Sequence, residues 1–315
     1  MSKVLFVIPP KVHLLDINGP AHIFYEATQF GQSFDLHFVS LNTQQEIQSS
    51  AGLFFSKLES FKNFNLNKGD YIFIPGIQYQ LLMDKNFIKG CQPFFVWIKQ
   101  QYQLEVNICS VCTGTFFLAE SGILNNKNCT THWKYLAQFK TKFPLINVES
   151  NRLFVMNERI FTSAGVSSGI DLALYLLEKK YGALLVAKIA KEVVVHLRRS
   201  ESDPQLNIYL QYRNHLDNRI HIVQDFLVKN ISTALSLIDI AQQVNMSSRN
   251  LTRLFKSKTK ITIGEYLEKL RVEKAIQLLS EGHKVESTAN ACGLKSTNQL
   301  RTLLKKHTGK LPSDF

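Results

Sequence analysis

Cysteine, histidine and aspartate are the side chains that could do chemistry in this chain. Three of them stand where a fold could bring them together. Cys112 lies in Ser110-Val-Cys112-Thr-Gly114, after a strand pattern and before a helix pattern. That is the setting of a sharp strand-to-helix turn that lifts a nucleophile to the top of a sheet. A helix N-terminus beside the sulfur favours the thiolate. His132 follows in Thr130-Thr-His132-Trp133, and a Cys–His pair is a common arrangement for nucleophilic catalysis. Asp16 stands at the end of the first strand's loop, ahead of Gly19-Pro20, and Pro75-Gly76 ends another strand. Strand ends on one edge of a parallel sheet converge, so these residues can share a pocket.

Other reactive patterns carry less. Cys109 and Cys112 form a C-x-x-C, but one falls on the strand and the other on the turn, so they need not face the same way. Cys129 with His132 completes a zinc set poorly. No metal site and no cofactor is expected. His13, His22 and His37 lie in or beside apolar segments and read as core or surface residues. Phe54, Phe55, Phe94 and Phe95 read as core. Trp133, next to His132, is the aromatic best placed to meet a cationic ligand.

The elements that must position these residues alternate along the first 180 positions. Strands are expected at 3–8, 34–40, 71–74 and 105–110, with a hairpin over 148–161 turning near Asn157. Helices are expected at 17–30, 87–103, 113–121, 167–180 and 183–199. This order implies a doubly wound, mostly parallel α/β sheet with helices on both faces. Arg199-Ser-Glu-Ser-Asp-Pro204 breaks the pattern and reads as a linker.

Beyond it the sequence is helical and repeats itself. Residues 240–256 and 288–305 each read as helix, tight turn, helix. Ala241 matches Ala289 and Asn245 matches Gly293; after a slip of one residue, Ser247, Leu251 and Thr259 match Ser296, Leu300 and Thr308. Asn and Gly suit a turn that needs positive φ. Thr262 is expected to cap a helix running to Leu279, roughly 27 Å long at about 1.5 Å per residue. Successive major grooves on one face of DNA lie roughly 34 Å apart, so such a spacer can place both units on one duplex.

Charge agrees. The chain carries +12, and residues 211–315 hold 17 Lys and Arg against 9 Asp and Glu. That concentration of positive charge suits a polyanion. No apolar run reaches the roughly 18 residues of a membrane span, the opening segment reads as a buried strand and not a signal peptide, and five scattered cysteines do not make a secreted disulfide framework. No membrane association is expected, and the expected compartment is the cytoplasm.

Residues 218–315 resemble the AraC-type DNA-binding domain. The matching pieces are Leu235–Lys256, Tyr266-Leu-x3-Arg271-x2-Lys-Ala-x2-Leu-Leu279, Ala291-Cys-Gly-Leu and Thr308-Gly-Lys-Leu-Pro-Ser313. The resemblance implies that the second helix of each unit lies in a major groove of double-stranded DNA. It places Ser247, Ser248, Arg249, Thr252 and Arg253 at the first reading helix and Thr297, Asn298, Gln299, Thr302 and Lys305 at the second. Arginine can grip guanine with two bonds, and serines at a helix start can meet phosphate. Thr302 and Leu304 depart from the family's usual arginine and phenylalanine, and Arg301 is displaced by one position. The second unit is therefore expected to read bases weakly or only to position the protein through Lys305, Lys306 and His307.

Residues 3–180 resemble the ThiJ/PfpI domain, of the class I glutamine amidotransferase-like fold. Besides the Cys112 turn, Thr162-Ser-Ala-Gly165 and Gly169-Ile-Asp-Leu-Ala-Leu174 fit the branch fused to AraC-type domains. That branch contains transcription regulators, some responding to quaternary amines or amino acids. Enzymes of the fold typically carry histidine directly after the cysteine, and many a glutamate near the first strand; here Thr113 and Asp16 stand instead. The resemblance implies a retired active site with no working catalytic residue. Cys112, His132 and Asp16 are its vestiges, and Asp16, Gly76, Cys112, Thr113, His132 and Trp133 are the candidate effector ligands. The expected organisation is an effector domain over 1–199, a linker over 200–217 and a DNA-binding domain over 218–315. The expected partners are DNA, a small effector, RNA polymerase if the protein activates, and a second copy of the chain. A cysteine-dependent hydrolase, amidase or glyoxalase-like enzyme tethered to DNA is the alternative, and a redox sensor acting through Cys112 is a third.

Overall fold

In the computed structural model the chain divides into two compact units, Met1–Gln205 and Leu206–Phe315. The structure describes every residue except 43, 151, 196–198, 200–204, 206, 207, 214 and 281.

The first unit is built on a seven-stranded sheet. Its strands are β1 (Ser2–Ile8), β2 (Phe34–Ser40), β3 (Glu59–Ser60), β4 (Tyr71–Ile74), β5 (Asn107–Val111), β6 (Phe154–Asn157) and β7 (Ile160–Ser163). They lie in the order β6-β7-β5-β4-β1-β2-β3. Every pairing is parallel except the β6–β7 hairpin. Chain order reverses beside β1 and β4, so the loops leaving their C-terminal ends open around one crevice.

Alternation along each strand separates two cores. Val4, Phe6 and Ile8 of β1 enter one, and Leu5 and Val7 the other. Helices α1 (Leu14–Gln29), α4 (Ser168–Tyr181) and α5 (Ala183–Glu192) cover the first face through Ile17, Phe24, Leu172, Leu176 and Val186. Helices α2 (Gln92–Gln103) and α3 (Thr115–Ser121) cover the second with Phe94, Ile98, Phe116 and Phe117. This is the doubly wound α/β arrangement the sequence implies.

Two expected helices end differently. The 87–103 segment splits into Lys85–Gly90, capped by Asp84, and α2. The break falls at Cys91 because Pro93, at the start of α2, has no N–H to continue a helix. Helix α5 stops at Glu192 and not at Arg199. Three valines follow, and β-branched residues are weak helix formers. The expected linker break at 199–204 falls largely outside the described residues. Within the 200–217 stretch, Ile208–Tyr212 is helical, and its Ile208 and Tyr212 pack into the second unit's core.

The second unit is all helical. It contains α6 (Asn218–Lys229), α7 (Leu237–Gln242), α8 (Ser248–Thr259), α9 (Ile263–Ser280), α10 (Val285–Ala291) and α11 (Thr297–Thr308). The pairs α7–α8 and α10–α11 repeat one another at their turns and at the caps of their second helices. Asn245 and Gly293 hold φ of 52° and 67° at the two turns. The Ser247 and Ser296 side chains accept from Asn250 N and Gln299 N. Thr259 and Thr308 return their hydroxyls to the carbonyls four residues back. Thr262 and Glu265 cap α9 reciprocally. Helix α9 serves two cores: Ile263, Tyr266 and Leu270 enter the first helix pair's core, and Val272, Ala275 and Leu279 the second's.

Candidate functional site

Cys112 sits at the C-terminal end of β5 with φ of 59°. For a residue with a Cβ this is an uncommon conformation, of the kind that clusters at functional sites. A single turn, Cys112–Gly114, leads into α3. Gly114 is required there, since a Cβ would stand 2.2 Å from the Ile74 carbonyl oxygen of β4. Close approach of these two strand ends therefore sets the turn's position.

Thr113, which occupies the place after the cysteine, is spent on structure. Its hydroxyl donates to the Ile77 carbonyl and accepts from the Ile77 N–H, both at 3.1 Å. Asp16, in the first turn of α1, is fully buried. Its Oδ2 accepts from Gly76 N–H at 3.0 Å, while no donor among the described residues reaches Oδ1. Gly76 fits between the two: a Cβ would lie 2.6 Å from Asp16 Oδ2 and 2.7 Å from Thr113 Oγ1. Asp16, Gly76, Cys112 and Thr113 thus form one contiguous group, as the converging strand ends imply.

His132 borders this group. Its segment is tied to the turn by hydroxyls: Thr131 donates to the Cys112 carbonyl and Thr115 to the Thr130 carbonyl, each at 2.9 Å. Burial lowers the His132 pKa, with Asp16 opposing, so the ring carries little charge near neutrality. Its Nδ1 accepts from Lys134 N–H at 3.3 Å. Trp133 stands at the outer edge, 49% exposed, its ring 5.6 Å from that of His132. Tyr135 packs on the same histidine at 5.8 Å.

The thiol departs from expectation. Burial first, then the Asp16 carboxylate, pushes the Cys112 pKa well above its ordinary value. The helix start does not offset the loss of water, so the thiol is neutral at physiological pH. Cys109 and Cys129 are likewise buried and free, their pKa values raised by burial.

Sequence reasoning missed His13. It precedes α1, and its N–H donates to the Gly76 carbonyl at 2.9 Å. That bond places Nδ1 at 3.6 Å from Asp16 Oδ2. The signal was only three-residue spacing from Asp16; the Val12–Ile77 bridge that pins the loop is not visible in the chain.

On the second unit, Arg249 and Arg253 are exposed along one side of α8, and neither makes an ion pair among the described residues. Thr252 is half-buried and donates to the Ser248 carbonyl. Ser247 uses its hydroxyl as a cap. On α11, Asn298, Gln299, Thr302 and Lys305 are exposed and Thr297 is half-buried. Three of these make local bonds: Asn298 accepts from Arg301, Gln299 accepts from Lys295 N–H, and Thr302 donates to the Asn298 carbonyl. Lys306 and His307 both reach Glu268 of α9, so they brace the unit in place of standing free.

Residues 2–179 match the DJ-1/PfpI family model. The chain belongs to that family. Residues 240–315 match the model of a helix-turn-helix domain. The HTH-type transcriptional regulator GbdR of Pseudomonas aeruginosa is 30% identical over 206 residues, 65% of this chain and 56% of GbdR. The chain therefore spans little more than half the length of that relative. Isonitrile hydratase of Pseudomonas putida is 28% identical over 182 residues, 57% of this chain and 72% of the hydratase. A putative transcriptional regulator protein from Vibrio parahaemolyticus superposes with a TM-score of 0.54 at 20% identity, over 61% of this chain and 98% of its own. That last likeness shows the fold alone. Among the described residues no helix is long and apolar enough to cross a membrane.

Proposed function

We propose that the chain is a sequence-specific, AraC-type transcription regulator. Its DJ-1/PfpI unit takes a small, nitrogen-containing effector and controls DNA binding or activation. The observation that carries this reading is the duplicated helix-turn-helix, with Arg249 and Arg253 exposed on a reading helix and without an ion pair among the described residues. A basic excess over the same region supports it. The first helix pair reads bases, and the second, whose candidate reading residues Thr297, Asn298, Gln299 and Thr302 are neutral, chiefly positions the protein through Lys305.

In the first unit, Cys112 is 2% exposed and Thr113 is committed to Ile77, which suits a retired active site better than a working one. The Asp16 Oδ1, which no donor among the described residues reaches, favours a ligand that brings positive charge or an N–H donor. Gly76, Thr113, His132 and Trp133 shape the surroundings. We assign effector binding to residues 1–199 and DNA binding to 218–315; of the joining stretch 200–217, Ile208–Tyr212 packs with the second unit. The working form is a cytoplasmic homodimer that contacts RNA polymerase where it activates.

The test is selection of an operator from random duplexes with the full chain. Binding should fall steeply with salt as lysines and arginines displace counterions. Arg249→Ala or Arg253→Ala should cost about 1–3 kcal/mol at the operator and relax preference at one base position. Equal weakening on every sequence would show that neither arginine reads bases.

A further inference from the structure

We infer that His13, Asp16 and Cys112 form a three-donor site for a thiophilic divalent cation of the zinc class, open at a fourth position. One ligand atom from each residue, an imidazole nitrogen, a carboxylate oxygen and a sulfur, lies within 4.8 Å of the other two. A tetrahedral zinc ion with bonds of about 2.0–2.3 Å needs donors roughly 3.3–3.7 Å apart. His13 Nδ1 and Asp16 Oδ2 already stand at 3.6 Å. At that distance they are too far apart for a hydrogen bond and at the spacing of two ligands on one metal.

A second observation points to a ligand. Asp16 is fully buried, yet among the described residues no donor reaches its Oδ1. An unpaired oxygen on a buried carboxylate is costly, and a cation bound at that carboxylate offsets the cost. The donor set of nitrogen, oxygen and sulfur excludes the hard cations calcium and magnesium, which take oxygen ligands. His13, with its side chain 32% exposed, is the ligand nearest solvent and marks the entry. Binding replaces the thiol proton of Cys112 with the metal and releases one proton to solvent. The ligands are themselves held in place: Gly76 N–H bonds the Asp16 carboxylate, and the Thr131 hydroxyl bonds the Cys112 carbonyl.

The assignment does not depend on the DNA-binding reading, but it gives to a metal the Asp16 carboxylate that the effector reading gives to an organic cation. Cobalt(II) titration of the full chain tests it, because thiolate coordination gives a sulfur-to-cobalt charge-transfer band. One equivalent should bind with that band and be displaced by zinc. Cys112→Ser should abolish the band, and His13→Ala should weaken binding at least tenfold. His13→Ala alters a partly exposed side chain, so it keeps the test valid if the cysteine variant folds poorly. No charge-transfer band in the wild type, or a band that survives Cys112→Ser, would overturn the assignment. Operator selection uses neither cobalt nor these variants, so failure of the metal site and failure of the DNA-binding reading are separately visible.

Discussion

The spacer helix offers the sharpest test of two-unit DNA recognition. Helix α9 spans 18 residues, and the two cores it serves are divided between Leu270 and Val272. Four alanines inserted between Arg271 and Val272 would leave each core its own side chains. The insertion would lengthen the helix by about 6 Å and turn the distal unit by about 40°, given about 1.5 Å and 100° per residue. It would also draw Gly293 of the distal unit away from Ile231 and from Arg271, whose guanidinium donates to the Ile231 carbonyl. A shift of about 6 Å is close to two base pairs of B-DNA at about 3.4 Å each, so α8 and α11 can no longer occupy their grooves together. Removing one unit from its groove should weaken operator binding by at least tenfold, or about 1.4 kcal/mol. The salt dependence should also become shallower by about 0.9 for each phosphate that the protein no longer neutralises. Binding to unrelated duplexes should change little, because it does not require both grooves in register. The assay is a titration and footprint of wild type and insertion variant on the selected operator, with helicity checked by circular dichroism. A folded variant with unchanged affinity and footprint length would refute the reasoning and show that α7–α8 suffices.

Two further outcomes concern stability. Gly76→Ala should destabilise the first unit by about 1–3 kcal/mol, because its Cβ would meet Asp16 Oδ2 at 2.6 Å and the Thr113 backbone nitrogen at 3.0 Å. Gly19→Ala meets only the flexible Ile170 side chain at 2.9 Å and should cost less; urea unfolding that reverses this order would contradict the assigned packing. In the second unit, a hydrogen bond from Lys306 holds the Glu268 carboxyl below its usual pKa. The sign follows: a depressed folded pKa adds stability above the unfolded value of about 4.3, and that stability is lost as pH falls through the folded pKa. Glu268 is 39% exposed, so solvent screening limits the effect. Glu268→Gln should cost about 0.5 kcal/mol at neutral pH and almost nothing well below pH of about 4. A cost independent of pH would mean that the interaction is not ionic.

What the chain made legible follows from how each feature is encoded. The helix-turn-helix pair was readable because it appears twice. A residue that tolerates positive φ at one turn could be checked against the other, and Asn245 and Gly293 do adopt it. The sheet was readable because strands buried on both faces are short apolar runs, and the alternation of helices with them admits few topologies. Boundaries set by one residue's backbone chemistry were lost inside longer apolar patterns. Pro93 splits one expected helix, and the valine run ends another.

The site divides in the same way. Cys112 was visible because a strand, a turn and a helix surround it in sequence. Asp16 and Gly76 were visible because strand ends converge. Which atoms then touch depends on approaches that no spacing encodes: Gly114 against Ile74, Gly76 against Asp16, and the His13 loop against Gly76. These approaches exclude water from the thiol and carry a histidine to the carboxylate. The residue types that suggest a nucleophile and its base thereby surround a buried thiol and a buried carboxylate. A neutral thiol, 2% exposed and beside a buried carboxylate, is poor equipment for attack on a substrate. On the reading proposed above, thiol and carboxylate are instead donors for positive charge.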